Sequence, residues 1–329
     1  MNAGRRMLVG GAISAAILAA IVLRLDWGDT GAALLRADPN WIAVGMAALI
    51  ANLVLRSARW ATLLLPLGRF PILSVCFPVY AIGYAANILI PLRAGDLLRA
   101  YLFGRACKLS KASVLATIVL ERIIDVLALL VMLAIVASAA DAPVETAGLV
   151  YALGGFAVAG LLLARAAAGN HSLLARLGPH LARLPAGLRA RIEKSLAAVL
   201  EALMTVQDGG AMIRVAAQSV ALWACAWTVV GSFMLAFDMA LPWYAPLLVI
   251  AVANLGLILP ATPGNIGVAH VLYMSAVIWL GVDANLAFAF AILLHGIPHL
   301  MIVLIGLAAM WRSRLSLRLL GARDHEAAG

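Results

Sequence analysis

Charge is scarce in this chain. Of its 329 residues only 12% are Asp, Glu, Lys or Arg, about half the roughly 25% of an ordinary soluble domain. Cysteine is scarcer still. Cys76, Cys107 and Cys225 are scattered, with no CxxC pair, so neither a disulfide framework nor a thiolate metal site is available. Lysine occurs three times and never follows glycine, which removes the Gly-rich loop ending in Gly-Lys-Ser/Thr that cradles nucleotide phosphates. No GxSxG elbow and no cysteine-based dyad occurs either. Between Val215 and Trp311 there is not one Lys or Arg.

What the chain has in abundance is apolar surface. Hydrophobic residues make up 65% and mean hydropathy is +1.04. A soluble domain must still clothe itself in polar side chains, so these numbers define an integral membrane protein. They exclude a disordered chain for the same reason. The 24 Lys plus Arg against 15 Asp plus Glu leave a formal charge of +9. Nucleic acid is not the expected partner, because the long gap without a base would serve no purpose there. In a polytopic membrane protein such an excess marks cytoplasmic loops.

A crossing of the hydrocarbon core needs roughly 20 apolar residues. Six runs qualify as full spans: Met7–Leu25, Trp41–Leu55 (extendable toward Leu65), Ala112–Ala140, Ala147–Ala164, Val215–Phe237 and Ala284–Trp311. Arg5 and Arg6 place the N-terminus in the cytoplasm, and Arg312, Arg314, Arg318 and Arg323 place the C-terminal tail there too. Arg56, Arg59 and Arg69 follow the second span and read as a cytoplasmic flank. So do Arg93, Arg99, Arg105, Lys108 and Lys111 before the third. Residues 72–92 are apolar, yet both flanks want the same side. The expected solution is a re-entrant hairpin from the cytoplasm, broken by Pro71, Pro78, Gly83 and Pro91. Residues 165–214 are basic and carry a helical apolar stripe, as an interfacial amphipathic helix or a packed linker helix would. All basic residues except Arg24, Arg36 and Arg122 then fall on cytoplasmic segments.

The two halves echo each other. Asn87, Pro91, Gly95 and Asp96 in the first are matched by Asn254, Pro260, Thr262, Pro263, Gly264, Asn265 and Gly267 in the second. Each set is followed by a long span with polar residues at i and i+4: Glu121 and Asp125, then His295 and His299. If 247–280 is a hairpin, it enters from the outside. The expected fold is therefore an all-α polytopic membrane protein, one domain over 1–329, of about six full spans plus two re-entrant helical hairpins. These form an inverted repeat: a first unit over 41–140, the cytoplasmic loop 165–214, and a second unit over 215–311. Broken helices in inverted repeats put a site near the midplane.

Glu121, Arg122 and Asp125 sit midway along a span, where each would cost about 2.5–3.5 kcal/mol facing lipid. Their net charge of −1 leaves one carboxylate for a cation or proton. Arg93, Asp96 and Arg99 end the first hairpin, and the planar fork of arginine suits phosphate. The Thr262–Asn265 stretch can open a half-helix whose amides attract an anion. His270, His295 and His299 read as a polar pair or a titratable path, with Gly296 and Pro298 interrupting the helix. A zinc set is the weaker reading of those three, since no HExxH glutamate is present. No cofactor and no metal is expected.

These motifs resemble the flippase-like transmembrane domain of lysylphosphatidylglycerol synthase and its stand-alone relatives. The matching residues are Asn87–Pro91, Arg93-Ala-Gly95-Asp96 with Arg99, Glu121-Arg122-Ile-Ile-Asp125, and Leu259 to Gly267. Departures fall at His270, where the family usually has an acid, and at His295, where it has an arginine. Asn265 replaces a common glycine, and Asp96 is shorter than the usual Glu. The resemblance implies a lipid translocase that moves a phospholipid or polyprenyl-linked head group between leaflets. Arg93, Asp96, Arg99, Glu121, Arg122 and Asp125 would receive the head group, and His270, His295 and His299 would offer a proton path. The expected partners are membrane lipids, with a lipid-modifying enzyme or glycosyltransferase beside them. The expected location is a bacterial-type cytoplasmic (inner) membrane. The alternatives are a non-transporting protein that presents a lipid-linked substrate to an envelope glycosyltransferase and, less favoured, an intramembrane metalloenzyme.

Overall fold

The computed structural model describes residues 26–90, 94–140, 208–257 and 263–312, with isolated positions at 148, 154, 155 and 187. The expected spans Met7–Leu25 and Ala147–Ala164 and almost all of the amphipathic loop lie outside the described residues. So do Pro91, Arg93, Pro260 and Thr262. Among the described residues every regular element is helical. In chain order they are α1 (Trp27–Arg36), α2 (Pro39–Leu63), a π-helical turn (Ile72–Cys76) running into α3 (Phe77–Leu89), α4 (Ala94–Ala106), α5 (Lys111–Ala139), α6 (Gly209–Ala236), α7 (Ala245–Gly256), α8 (Val268–Trp279) and α9 (Ala284–Arg312).

Short acids start several of these helices. The carboxylate of Asp26 accepts from the amides of Gly28 and Asp29 at 2.7 and 3.2 Å, and that of Asp38 from Asn40 at 2.8 Å, just before Pro39. Asp208 accepts from Gly210 and Ala211 at 2.9 and 3.2 Å, and Asp283 from Asn285 at 2.8 Å. A carboxylate there satisfies amides with no partner inside the helix and faces the positive end of its dipole. Four of the few acids in the chain are thus used to set helix starts.

By length and apolar composition, four described helices suffice to cross a membrane: Pro39–Leu63, Ile72–Leu89, Gly209–Ala236 and Ala284–Arg312. α5 is as long, at 29 residues, but carries Glu121, Arg122 and Asp125 in its middle. α7 and α8 have 12 residues each, which at about 1.5 Å per residue is short of the roughly 30 Å of hydrocarbon.

The helix contacts fall into pairs. α2 and α6 run antiparallel: the Asp38 amide meets the Ala236 carbonyl at 2.9 Å, and near the other end Thr62 meets Gln218 at 3.1 Å. Around that central pair, α3 packs on α9 as α7 packs on α5. α4 packs on α5 as α8 packs on α9. α3 meets α4 as α7 meets α8. The two described units, α2–α5 and α6–α9, thus make matching contacts.

The first broken segment differs from its expected form. Residues 72–89 do not fold back on themselves at Pro78 or Gly83. Pro78 lies where the π-helical turn joins α3, and the helix runs on through it. Residues 91–93 lie outside the described residues, and α4, which was expected in the cytoplasmic flank, packs against α3. Gly83 lies inside α3 because α4 crosses it at backbone contact. A Cβ at Gly95 would fall on the Gly83 carbonyl oxygen and 2.7 Å from the Asn87 amide nitrogen. Pro298 likewise does not interrupt α9, which runs through it from Ala284 to Arg312.

The outside of the bundle is apolar. Val119, Ile123, Val126 and Val131 form an exposed stripe on α5, while Glu121 and Asp125 on the same helix are buried. That is the reverse of a surface helix in water. Exposed tryptophans Trp27, Trp41, Trp243 and Trp279 lie at the end where α2 and α9 begin and Trp311 at the opposite end, as expected of side chains at the two membrane–water boundaries. Lys111 and Arg312 lie at the opposite end.

The contact of α3 with α4 generates the first prediction. Gly95→Ala should destabilise the protein by about 1–3 kcal/mol, as overpacking does, and should appear as a lower melting temperature in mild detergent. An unchanged melting temperature would show that α4 does not cross α3 at this point.

Candidate functional site

The site is built from three helices. On α2, Asn52, Arg56 and Arg59 stand at i, i+4 and i+7, so they share one face. α4 contributes Asp96 and Arg99, and α5 contributes Glu121, Arg122 and Asp125. Arg59 donates to Asp125 at 2.7 Å and lies 3.5 Å from Glu121. Arg99 donates to the other Glu121 oxygen at 2.8 Å. Arg122 holds Asp96 through two nitrogens at 2.9 and 3.2 Å and lies 3.7 Å from Asp125. Arg56 reaches Asp125 at 3.4 Å and Asn52 at 2.9 Å.

Burial makes these contacts obligatory. Arg59 and Glu121 are 0% exposed and Arg99 is 1% exposed. Arg99 is sandwiched between aromatic faces, with its guanidinium carbon 4.3 Å from the Trp60 ring centroid and 4.1 Å from that of Tyr80. The Tyr80 hydroxyl donates to Glu121 at 3.0 Å, and the Trp60 indole donates to Thr117 at 3.1 Å. Asn87 on α3 donates to Asp96 at 3.0 Å, tying the first broken segment to the cluster.

The cluster corrects two expectations. Arg56 and Arg59 are not in a cytoplasmic flank. α2 continues to Leu63, and burial of Trp60, Leu63 and Leu64 carries its apolar face past both arginines. Arg122 therefore is not the lone base at this depth, and no carboxylate of the trio is left over. Four guanidinium groups meet three carboxylates, so the seven together carry +1, although Glu121, Arg122 and Asp125 by themselves carry −1. Arg99 pairs chiefly with Glu121 and approaches Asp96 only at 3.9 Å. Asn52, Arg56 and Arg59 were missed as site residues, although their i, i+4, i+7 spacing on an apolar helix was a signal that could have found them. Tyr80 and Tyr84 carried the same kind of signal on α3.

Beside the cluster lies a cavity of about 170 Å³ between the two units. Asn52 and Arg56 come from α2, Tyr84 from α3, Trp223 from α6, Asn254 from α7, Tyr273 from α8 and His299 from α9. Apolar residues such as Leu49, Val249 and Ile302 close the rest. Of the expected site residues, Asn254 and His299 line it. Arg56 belongs both to the cavity wall and to the charge cluster, and its guanidinium carbon stands 5.1 Å from the Trp223 ring centroid.

On the far side, His270, His295 and His299 form a chain of rings, with centroids 4.7 and 4.1 Å apart. His295 Nε2 is 2.9 Å from the Gly264 carbonyl, and the Gly267 amide donates to His270 Nδ1 at 3.3 Å. These bonds pin the second elbow. Gly264, Asn265 and Gly267 adopt φ of 64, 53 and 90°, a left-handed region that Gly and Asn enter at least cost. α8 starts at Val268, later than the Thr262–Asn265 stretch, with His270 folded back on its first amides. Among the described residues no three His, Cys, Asp or Glu side chains are disposed to hold a metal ion.

An apolar exterior, buried ion pairs and long hydrophobic helices define a multi-pass helical membrane protein. Within that class the chain belongs to the lysylphosphatidylglycerol synthase transmembrane region family, whose model matches residues 7–306. The family is a membrane domain connected with lipid. No curated protein matches the chain.

Glu121 is the acid on which two buried arginines depend. Glu121→Gln leaves Arg59 and Arg99 short of a counter-charge, and breaking a buried pair in this way costs about 3–5 kcal/mol. The expected outcome is a protein that denatures at clearly lower temperature in detergent. A melting temperature equal to that of the unaltered protein would rule out the pairing.

Proposed function

We propose that the chain is a lipid translocase, which lets the head group of a phospholipid or polyprenyl-linked lipid cross between leaflets while its acyl tails stay in the bilayer. The observation that carries this reading is the cavity between the two units, lined on one side by Arg56 of the arginine–carboxylate cluster and on the other by His299 of the histidine chain. A head group crossing hydrocarbon unaided must shed its water, and a polar wall replaces that water with fixed donors.

In this reading the paired helix contacts are those of an inverted repeat. α3–α4 is the hairpin entering from the cytoplasm and α7–α8 its counterpart from outside, with the site where the two meet. The end where α2 and α9 begin faces outward, the end bearing Lys111 and Arg312 faces the cytoplasm, and both termini lie in the cytoplasm of a bacterial-type inner membrane. Arg93 and Arg122 serve the cytoplasmic approach. Arg122 is suited to that task because its side chain is 31% exposed, against 2% for Arg99. The Thr262–Gly267 elbow serves the outer approach. No catalytic step is assigned to the chain. Movement is passive or coupled to an ion gradient, with the histidines as proton carriers.

Reconstitution in phosphatidylcholine vesicles tests the reading. Leaflet exchange of a fluorescent phospholipid should exceed that of protein-free vesicles, and Arg122→Ala should slow it about tenfold through loss of a charge-assisted, two-pronged contact. Exchange no faster than in empty vesicles would refute translocation.

A further inference from the structure

The cavity wall has a chemical bias. Its polar members are Arg56, Asn52, Tyr84, Trp223, Asn254, Tyr273 and His299, and no Asp or Glu lines it. All three carboxylates nearby are turned into the cluster, where each meets at least two arginines. The surplus positive charge of that cluster faces the cavity through Arg56. Its closest carboxylate oxygen is 3.4 Å away, whereas Arg59, Arg99 and Arg122 each have one at 2.7 to 2.9 Å.

A second, independent observation points to a ligand on the same wall. Trp223 is 6% exposed, and its indole Nε1, a donor only, is buried with no hydrogen-bond partner. A buried donor left without an acceptor is costly, and native proteins rarely keep one without a reason. An acceptor-rich group in the cavity would satisfy it. The aromatic face of Trp223 is meanwhile already occupied by the Arg56 guanidinium, so it is not free to receive an ammonium group.

At about 170 Å³ the cavity has room for a phosphate with a short alcohol.

We infer that this cavity is a binding site for a small anionic phosphate-ester head group, with Arg56 as its principal charge, and that it discriminates against cationic, aminoacylated head groups. The inference deepens the translocase reading and rests on it for the ligand being a lipid. An ammonium group entering here would meet a like charge with no carboxylate to answer it, and such mismatches are how binding sites reject wrong partners.

Purified full-length protein titrated with dioctanoyl phosphatidylglycerol and with its lysyl ester, read by native mass spectrometry, tests the assignment. The anionic lipid should bind at least about tenfold more tightly, and Arg56→Ala should abolish that preference. Should Arg56→Ala fail to fold, Asn254→Asp carries the test. It seats a carboxylate on the wall at an exposed position of α7 and should narrow or invert the preference. Equal or tighter binding of the lysyl ester by the unaltered protein overturns the assignment. Vesicle exchange separates the two readings. If neither lipid exchanges faster than in empty vesicles while the binding preference persists, translocation fails and the site stands. If both exchange equally fast, translocation stands and the head-group assignment fails.

Discussion

Seven charged side chains share the interior of a helix bundle that has almost no other charge inside it. Arg56, Arg59, Arg99 and Arg122 face Asp96, Glu121 and Asp125, and none of the seven could be left alone at this depth. Their desolvation is offset only if each finds partners with good geometry. Arginine suits the task because one planar group can serve two carboxylates and still lie flat against an aromatic ring, as Arg99 does between Trp60 and Tyr80. Holding these groups together fixes α2, α4 and α5 relative to one another. The close contact of Gly83 with Gly95 then brings α3 near enough for Asn87 to hold Asp96.

The same constraint shapes the region beside the cluster. Because the arginines outnumber the carboxylates by one, the cluster cannot be neutral, and its excess appears on the wall of the cavity through Arg56. The opposite wall is built differently. His295 and His270 bond to the backbone of the 264–267 elbow. Irregular backbone inside a protein needs hydrogen-bond partners, and at Gly264 and Gly267 the histidines supply them. The two units thus use unequal chemistry, charged in one and neutral in the other, around one shared cavity.

Much of the fold was legible from composition and periodicity. The runs Ala112–Ala140 and Ala284–Trp311 match α5 and α9 to within a residue or two, because a long apolar run bounded by polar residues leaves little freedom to a helix. In the second unit Gly264 and Gly267 marked the turn that precedes α8. The internal geometry of the units was less legible. Gly83 read as a break, yet it is a contact: a missing Cβ looks the same in sequence whether the chain bends there or a neighbouring helix presses against it. Pro298 read as an interruption, yet α9 continues through it.

For the site, sequence alone identified the residues too costly to leave in lipid: Glu121, Arg122 and Asp125. It also determined that the protein lives in a membrane, and it marked the elbows and the histidines of the second unit. Tertiary structure alone decided the partners. Arg56 and Arg59 looked like topology markers because positive charge after a span usually means an aqueous loop. Only packing against α5 and α6 shows them to be interior. The sign of the cluster, the unmatched indole of Trp223 and the carboxylate-free cavity wall are sums over residues far apart in the chain. No local pattern encodes such a sum, because the electrostatics of a buried site depends on which charges meet in space.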